Sequence, residues 1–142
     1  MINKGKENKN FAVLLRSYLV GAEKLKSKLR GNLMELDFES HKLGKIFNTH
    51  VSMVKRFGPL IAHGVEKRLA EIQSAERLSQ ISHLPPARLH LLLGDLQDFY
   101  AVSVTSNVRL VFYGLDMYGK QIVDKERITK IVITKVSDYH DK

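Results

Sequence analysis

The apolar positions of this chain follow two different periods, and the changes between them predict an order of helices and strands. Apolar residues lie three and four positions apart over 11–29, 41–57 and 59–78, which is the spacing of amphipathic helices. Over 34–38 they alternate with polar residues, which predicts a short half-buried strand. The Gly-Pro pair at 58–59 separates the second predicted helix from the third. We therefore expect the second and third helices to form an antiparallel hairpin on one face of a sheet.

The second half of the chain changes to short runs of β-branched and aromatic residues. Leu84-Pro85-Pro86 fits neither a helix nor a central strand and is predicted to be a connector. Strands are predicted over 99–104 and 108–113, joined by a turn at 105–107, and over 131–136 near the end. Because the helices are separated in sequence from an antiparallel set of strands, this order predicts an α+β domain.

Length and composition are those of one globular domain. The 142 residues are 44% hydrophobic and 27% charged, which is enough for one core but not for two. Apolar runs fall short of the about 18 residues that a membrane span needs, and the basic, polar start does not resemble a signal peptide. The sequence contains no cysteine, which excludes disulfides and thiolate chemistry. We therefore expect a cytoplasmic protein without a membrane partner.

The net charge of +8 favours a polyanionic partner such as RNA, DNA or an acidic protein. Residues 1–33 hold eight basic and two acidic residues, whereas 34–142 hold fifteen and thirteen. Two interpretations of the basic segment stay open: an amphipathic helix packed on the domain, or an arm that contacts RNA or a partner. Met34 could also serve as an internal start, so the segment is predicted to be an addition to the domain at 34–142.

The predicted final strand is followed at once by three chemically capable side chains. Asp138, Tyr139 and His140 supply a carboxylate, a phenol and an imidazole side by side. A strand that simply ends on polar residues is the alternative interpretation. A metal site is not expected, because the histidines of the predicted helices do not lie four positions apart on one face.

Four separated segments carry a more specific pattern. They are Arg88-Leu89-His90 with Leu93-Gly94-Asp95, the aromatic strand start at 99–104, the hairpin strand at 106–112, and the terminal Asp138-Tyr139-His140. In this order they resemble HigB-like toxins of the RelE superfamily, the plasmid maintenance killer family. The resemblance covers 34–142 and implies a RelE-like fold, with an N-terminal strand and two-helix hairpin on a small antiparallel sheet, here preceded by an extra N-terminal helix.

The resemblance also implies a function. Members of this superfamily cut messenger RNA, in most characterised cases on the ribosome, without a metal or other cofactor. As the toxin of a type II toxin–antitoxin system, such a protein would be neutralised by a cognate helix-turn-helix antitoxin similar to HigA. Two departures bear on this expectation. Leu93 stands where the family often has a lysine, and the segment 114–130 is longer than the usual short turn.

RNA cleavage without metal uses the 2′-hydroxyl as nucleophile on the adjacent phosphate, and it needs a base, an acid and a cation. The resemblance implies that His90 and His140 form the acid/base pair, with neither role assigned. Asp138 would orient an imidazole or act as base, and Tyr139 would stack on a base or hydrogen-bond the phosphate. Arg109 on the hairpin would stabilise charge in the transition state.

Three further residues are expected to bind substrate. Arg88 and Lys135 would form a basic rim, and Asn107 would contact a base. Taken without the resemblance, Asn107 is a turn residue, Arg109 an exposed strand charge, and His90 a boundary histidine between leucines. The alternative class of protein is a non-catalytic module of the same fold that binds RNA or a partner, and Leu93 is the feature that favours it.

Overall fold

The computed structural model describes residues 33–138, and its elements confirm the predicted α+β class. Within that range three α-helices lie on one face of a mixed sheet of six strands. The predicted helix at 11–29 lies outside the described residues, so it stays a prediction. The elements are β1 (Glu35–Phe38), α1 (His41–Phe47), α2 (His50–Phe57), α3 (Pro59–Gln73), β2 (His90–Leu91), β3 (Tyr100–Ser103), β4 (Val108–Leu115), β5 (Gln121–Ile122) and β6 (Lys130–Asp138). None of the described helices is long and apolar enough to cross a membrane.

The sequence predicted an antiparallel sheet, but the sheet of residues 33–138 is mixed. Its strand order is β1-β6-β4-β3-β2, with β5 paired to β4. The first strand runs parallel to β6, and every other pair is antiparallel. Parallel neighbours require a long crossover. The three helices and the hairpin strands supply it, since they all lie between β1 and β6 in the chain.

The helix predicted over 41–57 is two helices, and the cause is local capping. Asn48 is the C-cap of the first helix, and Thr49 is the N-cap of the second: the Thr49 Oγ1 accepts a hydrogen bond from the Ser52 amide at 3.0 Å. The Ser52 hydroxyl in turn accepts from the Thr49 amide at 3.4 Å, which completes a capping box. The hydrophobic spacing continues through this break, so periodicity alone did not reveal it. The third helix likewise ends at Gln73, before the predicted end near residue 78.

Replacing Thr49 with alanine is expected to lower the free energy of unfolding by about 1 kcal/mol, because the first turn of α2 loses its side-chain acceptor. Urea denaturation would measure the change. Lys55→Ala, at an exposed position of the same helix, is the matched control and should stay within about 0.5 kcal/mol of the wild type. Equal losses in the two variants would show that the cap does not hold the helix.

The hydrophobic core lies between the helices and one face of the sheet. Strand residues of even number in β3 and β4, such as Val102 and Leu110, belong to the same buried cluster as Leu69 and Ile72 of α3. The opposite face carries only a small second cluster around Leu92, Ala101 and Val111. Side chains of odd number in β3 and β4 therefore lie on a face that none of the three α-helices of residues 33–138 covers. We call it the open face.

Helix α3 is held close to the end of β3. The Arg68 Nε–H donates to the carbonyl oxygen of Ser103 at 2.8 Å, and its Nη1 lies 2.9 Å from Glu71 Oε1. One turn earlier, Gly64 approaches so closely that an added Cβ would lie 2.7 Å from the Val104 carbonyl oxygen. These contacts fix the position at which the β3–β4 hairpin turns, and the residues of that turn belong to the site described next.

Candidate functional site

Four polar side chains from three separate segments line a pocket of about 470 Å³: His83, Arg88, His90 and Ser106. His83 and Arg88 come from the connector after α3, His90 begins β2, and Ser106 lies in the turn between β3 and β4. No carboxylate of residues 33–138 lines this pocket. The structure therefore brings together two residues that the sequence had indicated, Arg88 and His90, with two that it had not.

The connector that carries His83 and Arg88 is fixed by backbone hydrogen bonds. The amides of Arg88 and Leu89 donate to the carbonyls of Leu84 and Ser82, at 3.0 and 2.9 Å. The Ser103 amide donates to the Ala87 carbonyl at 2.7 Å, which ties the connector to β3. Ala87 and Leu89 are buried, so the residue between them is held at the surface of the protein. This residue, Arg88, has a φ of +52°.

The backbone of Arg88 determines the tautomer of His90. The Nδ1 atom of His90 lies 2.7 Å from the Arg88 carbonyl oxygen. Because a carbonyl oxygen can only accept, Nδ1 must carry the proton and donate it. When the imidazole is neutral, Nε2 therefore holds the available lone pair. His90 is exposed, so this nitrogen is positioned to take a proton from a bound ligand.

The sheet register places two more predicted residues on the same face as His90. His90 pairs with Ala101, Ala101 with Val111, and Val111 with Lys135. In the next row of the open face, Ser103 pairs with Arg109 and Arg109 with Ser137. Directly paired residues share a face, and strands lie about 4.8 Å apart. His90 and Lys135 thus lie at the two ends of one row of the open face, and Arg109 lies in the next row.

A β-bulge sets the side of the sheet on which Lys135 lies. Phe112 pairs with Ile133 but Val111 pairs with Lys135, so Thr134 is the extra residue of β6. Its hydroxyl donates to the Val111 carbonyl oxygen at 3.1 Å. Without the bulge, Lys135 would share the helix-covered face with Ile133. With it, Lys135 lies on the open face and is exposed.

Of the three C-terminal residues predicted to be catalytic, the structure describes one. Asp138 ends β6 and pairs with Val108, whose side chain belongs to the core under the helices. The register therefore places Asp138 on the helix-covered face of the sheet, opposite to the face that carries His90 and Arg109. Tyr139 and His140 lie outside the described residues. The catalytic roles predicted for these three residues stay predictions.

The remaining predicted positions border the pocket. Asn107 follows Ser106 in the turn, where the Asn107 amide donates to the Thr105 hydroxyl at 3.2 Å and its side chain is exposed. Leu93 is 87% exposed, which is unusual for a leucine and leaves an apolar group where the resembled family often has a cation. Among residues 33–138, no cluster of three or more His, Asp or Glu side chains could hold a metal ion.

A second cavity, of about 530 Å³, lies near the loop after β4, and acidic side chains outnumber basic ones in its lining. Asp116, which is buried, accepts hydrogen bonds there from the amides of Lys120 and Tyr118 at 3.0 and 2.9 Å. The Lys120 amide is the main cause that lowers the pKa of Asp116; the Tyr118 amide and the nearby Arg127 act in the same direction, and burial opposes them. This carboxylate closes the turn and has a structural role.

Asp116→Asn is expected to destabilise the protein at pH 7 more than in acid. Since the folded-state pKa of Asp116 is lowered, its carboxylate stabilises the fold above the unfolded-state value near 3.8 and loses that effect as the pH falls through the folded-state value. The difference between variant and wild type should therefore shrink below about pH 4. Urea titrations at pH 7, 5 and 3 would measure it. A difference that is equal at all three pH values would contradict this role.

No family model, curated protein or solved structure matches this chain. Function is therefore inferred from the chemistry of the site.

Proposed function

We propose that this chain is a metal-independent endoribonuclease that cuts messenger RNA on the ribosome, as the toxin of a type II toxin–antitoxin system. The observation that carries the proposal is the pocket in which His90 presents Nε2 beside Arg88, with no carboxylate from the described residues in the lining. Such a pocket favours an anion over a cation. An imidazole and a guanidinium together fit phosphate chemistry better than other hydrolytic reactions, since guanidinium binds phosphate oxygens in pairs.

In the proposed reaction His90 acts as the base. Its Nε2 takes the proton of the 2′-hydroxyl, and the oxygen attacks the adjacent phosphorus. Arg88 at the pocket, and Arg109 on the neighbouring row of the open face, stabilise the extra negative charge that develops on the phosphate. The bond to the 5′-oxygen then breaks, giving a 2′,3′-cyclic phosphate and a 5′-hydroxyl. The resembled family implies His140 as the partner group.

The open face supplies a path for the RNA strand. The face that carries the pocket residue His90 on β2 also carries Arg109 on β4 and Lys135 on β6. Each phosphate that such a group neutralises would release a counterion, so binding should weaken as salt is raised. Asn107 is exposed in the hairpin turn and directly follows the pocket residue Ser106. Its side chain is therefore available to contact a base beside the pocket.

The likeness to HigB-like toxins supports the toxin assignment. It rests on the four segments already described and on the order of elements, in which a strand and a helical layer precede the hairpin and the final strand. On this reading the chain is cytoplasmic, and a HigA-like helix-turn-helix antitoxin would bind it and cover the open face. The basic residues 1–33 would add to the affinity for ribosomal RNA.

A second candidate function has one observation in its favour. Leu93 is 87% exposed, and Leu91 on the edge strand β2 is 44% exposed, so apolar surface lies beside the pocket. Exposed leucines beside a pocket that binds anions are suited to contact a partner protein, either alone or already bound to RNA. In this alternative the chain binds RNA or a partner through the same face and does not cut.

Controlled expression in cells separates the two candidates. The wild type and a His90→Ala/His140→Ala variant are induced to equal levels, and the 5′ ends of cellular messages are mapped. The nuclease proposal predicts new message ends and growth arrest with the wild type alone. If the wild type arrests growth no more than the variant and produces no new ends, the nuclease proposal is wrong, and ribosome association of the wild type would then favour the binding module.

A further inference from the structure

His83 is the pocket residue that neither the sequence pattern nor the resemblance indicated. It shares the lining of the 470 Å³ pocket with His90, Arg88 and Ser106, and its side chain is exposed. It lies seven positions before His90 and outside any regular element. The two imidazoles are therefore brought together by the fold of the connector and not by a helix or strand period.

The connector holds His83 in place. On one side the Ser82 carbonyl accepts from the Leu89 amide at 2.9 Å, and on the other the Leu84 carbonyl accepts from the Arg88 amide at 3.0 Å. The Ser82 hydroxyl also accepts from the Leu84 amide at 2.9 Å. Both chain neighbours of His83 are thus hydrogen-bonded within the segment that carries the pocket. The backbone that carries His83 is therefore ordered before a ligand binds, which leaves only the side-chain torsions to be fixed on binding.

The chemistry of the pocket calls for a second proton-transfer group. Once His90 Nε2 has taken the proton of the 2′-hydroxyl, the leaving 5′-oxygen needs a proton from another side chain. Of the other lining residues, Arg88 remains protonated throughout and Ser106 has an alcohol that is a weak acid. His83 is the one other imidazole among the four lining residues, and imidazole is the side chain most often used for proton transfer in catalysis.

We propose that His83, in place of the His140 that the resemblance implies, is the general acid of the reaction in which His90 is the base, an inference that rests on the proposed nuclease function. The proton of the 2′-hydroxyl moves to His90 Nε2, the bond from the 2′-oxygen to phosphorus forms, and the bond from phosphorus to the 5′-oxygen breaks. The His83 imidazolium gives its proton to the 5′-oxygen. His83 ends neutral and His90 protonated, and exchange with water restores both.

A substrate with a sulfur leaving group tests this role. A message carries a single 5′-bridging phosphorothiolate at its mapped cleavage position and is bound to programmed ribosomes. A thiolate leaves without protonation, so the acid is no longer needed. His83→Ala and His83→Gln should cut ordinary RNA about 10²-fold or more slowly than the wild type. On the phosphorothiolate message both should come within about fivefold of the wild type, because only the need for an acid has been removed.

His90→Ala supplies the contrast, since loss of the base should slow both substrates alike. His41→Ala, an exposed histidine on α1 and outside the pocket, should cut both at the wild-type rate. Melting temperatures equal to that of the wild type would exclude misfolding as the cause of any loss.

The outcomes are distinct. If His83→Ala cuts ordinary RNA as fast as the wild type, the inference is wrong and the nuclease function stands. If it is equally slow on both substrates, His83 is not the acid. If the wild type cuts neither message, the proposed function itself fails.

Discussion

His90→Ala is expected to slow cleavage of ribosome-bound message by about 10²- to 10⁴-fold, the range lost when a general base is removed. The imidazole is exposed, and its Nδ1 proton is held by the Arg88 carbonyl at 2.7 Å, so Nε2 is left to act on the substrate. Removing an exposed side chain of this kind should change the free energy of unfolding by no more than about 0.5 kcal/mol. Single-turnover cleavage and urea denaturation of the same preparation measure the two effects.

His90→Asn sharpens this test. An asparagine amide can still donate near the position of Nδ1, but it cannot act as a base. The variant should therefore be as inactive as His90→Ala, whereas His41→Ala should keep the wild-type rate. Activity retained in His90→Asn would mean that the residue only positions the connector and that the base lies elsewhere.

Gly64→Ala, which adds a single methyl group, is expected to lower the free energy of unfolding by about 2–3 kcal/mol. An added Cβ would lie 2.7 Å from the Val104 carbonyl oxygen and 2.8 Å from its Cγ1, both closer than atoms can approach without movement. Without the clash, alanine would stabilise the helix by up to about 1 kcal/mol relative to glycine. The clash therefore decides that the substitution destabilises the protein. The helix must move away from β3, which strains the Arg68 hydrogen bond to Ser103.

Gly44→Ala is the matched control, since it also adds one methyl group within a helix. There the nearest atom would be Phe38 Cδ2 at 3.5 Å, an ordinary contact. This variant should be more stable than the wild type by about 0.5–1 kcal/mol. Urea denaturation compares the pair directly. A Gly64→Ala protein at least as stable as Gly44→Ala would contradict the close packing of α3 on the hairpin.

Much of the local structure could be predicted because it follows from period and turn chemistry. Alternation over 34–38 became β1, the apolar runs around the turn at 105–107 became β3 and β4, and the β-branched run at 131–136 became β6. What could not be predicted depends on partners distant in sequence. The parallel pairing of β1 with β6 joins segments far apart in the chain, and the two-residue strands β2 and β5 are defined by their hydrogen bonds to β3 and β4.

In the candidate site, too, some residues could be predicted from the sequence and others could not. Arg88 and His90 lie near each other in sequence, and the structure places them in one pocket. His83 and Ser106 join them only through the fold of the connector and the hairpin turn. The face on which Lys135 lies depends on the bulge at Thr134, because a single extra residue reverses the alternation of the strand. The same bulge places Asp138 on the helix-covered face, where simple alternation from Ile133 would not have put it.

The exposed Leu93 remains the sharpest distinction between a nuclease and a binding module. A cation at this position would help to hold the phosphate, and its absence puts more weight on Arg88 and Arg109. Leu93→Lys should then raise the cleavage rate of an active nuclease, and it should leave a binding module inactive.

The most direct measurement is the chemistry of the RNA ends made by the purified protein. Full-length protein is added to ribosomes programmed with a defined message, and the products are analysed at both new ends. The nuclease account predicts one cut that leaves a 2′,3′-cyclic phosphate and a 5′-hydroxyl and that disappears in His90→Ala. Intact message on ribosomes to which the protein has bound would contradict it.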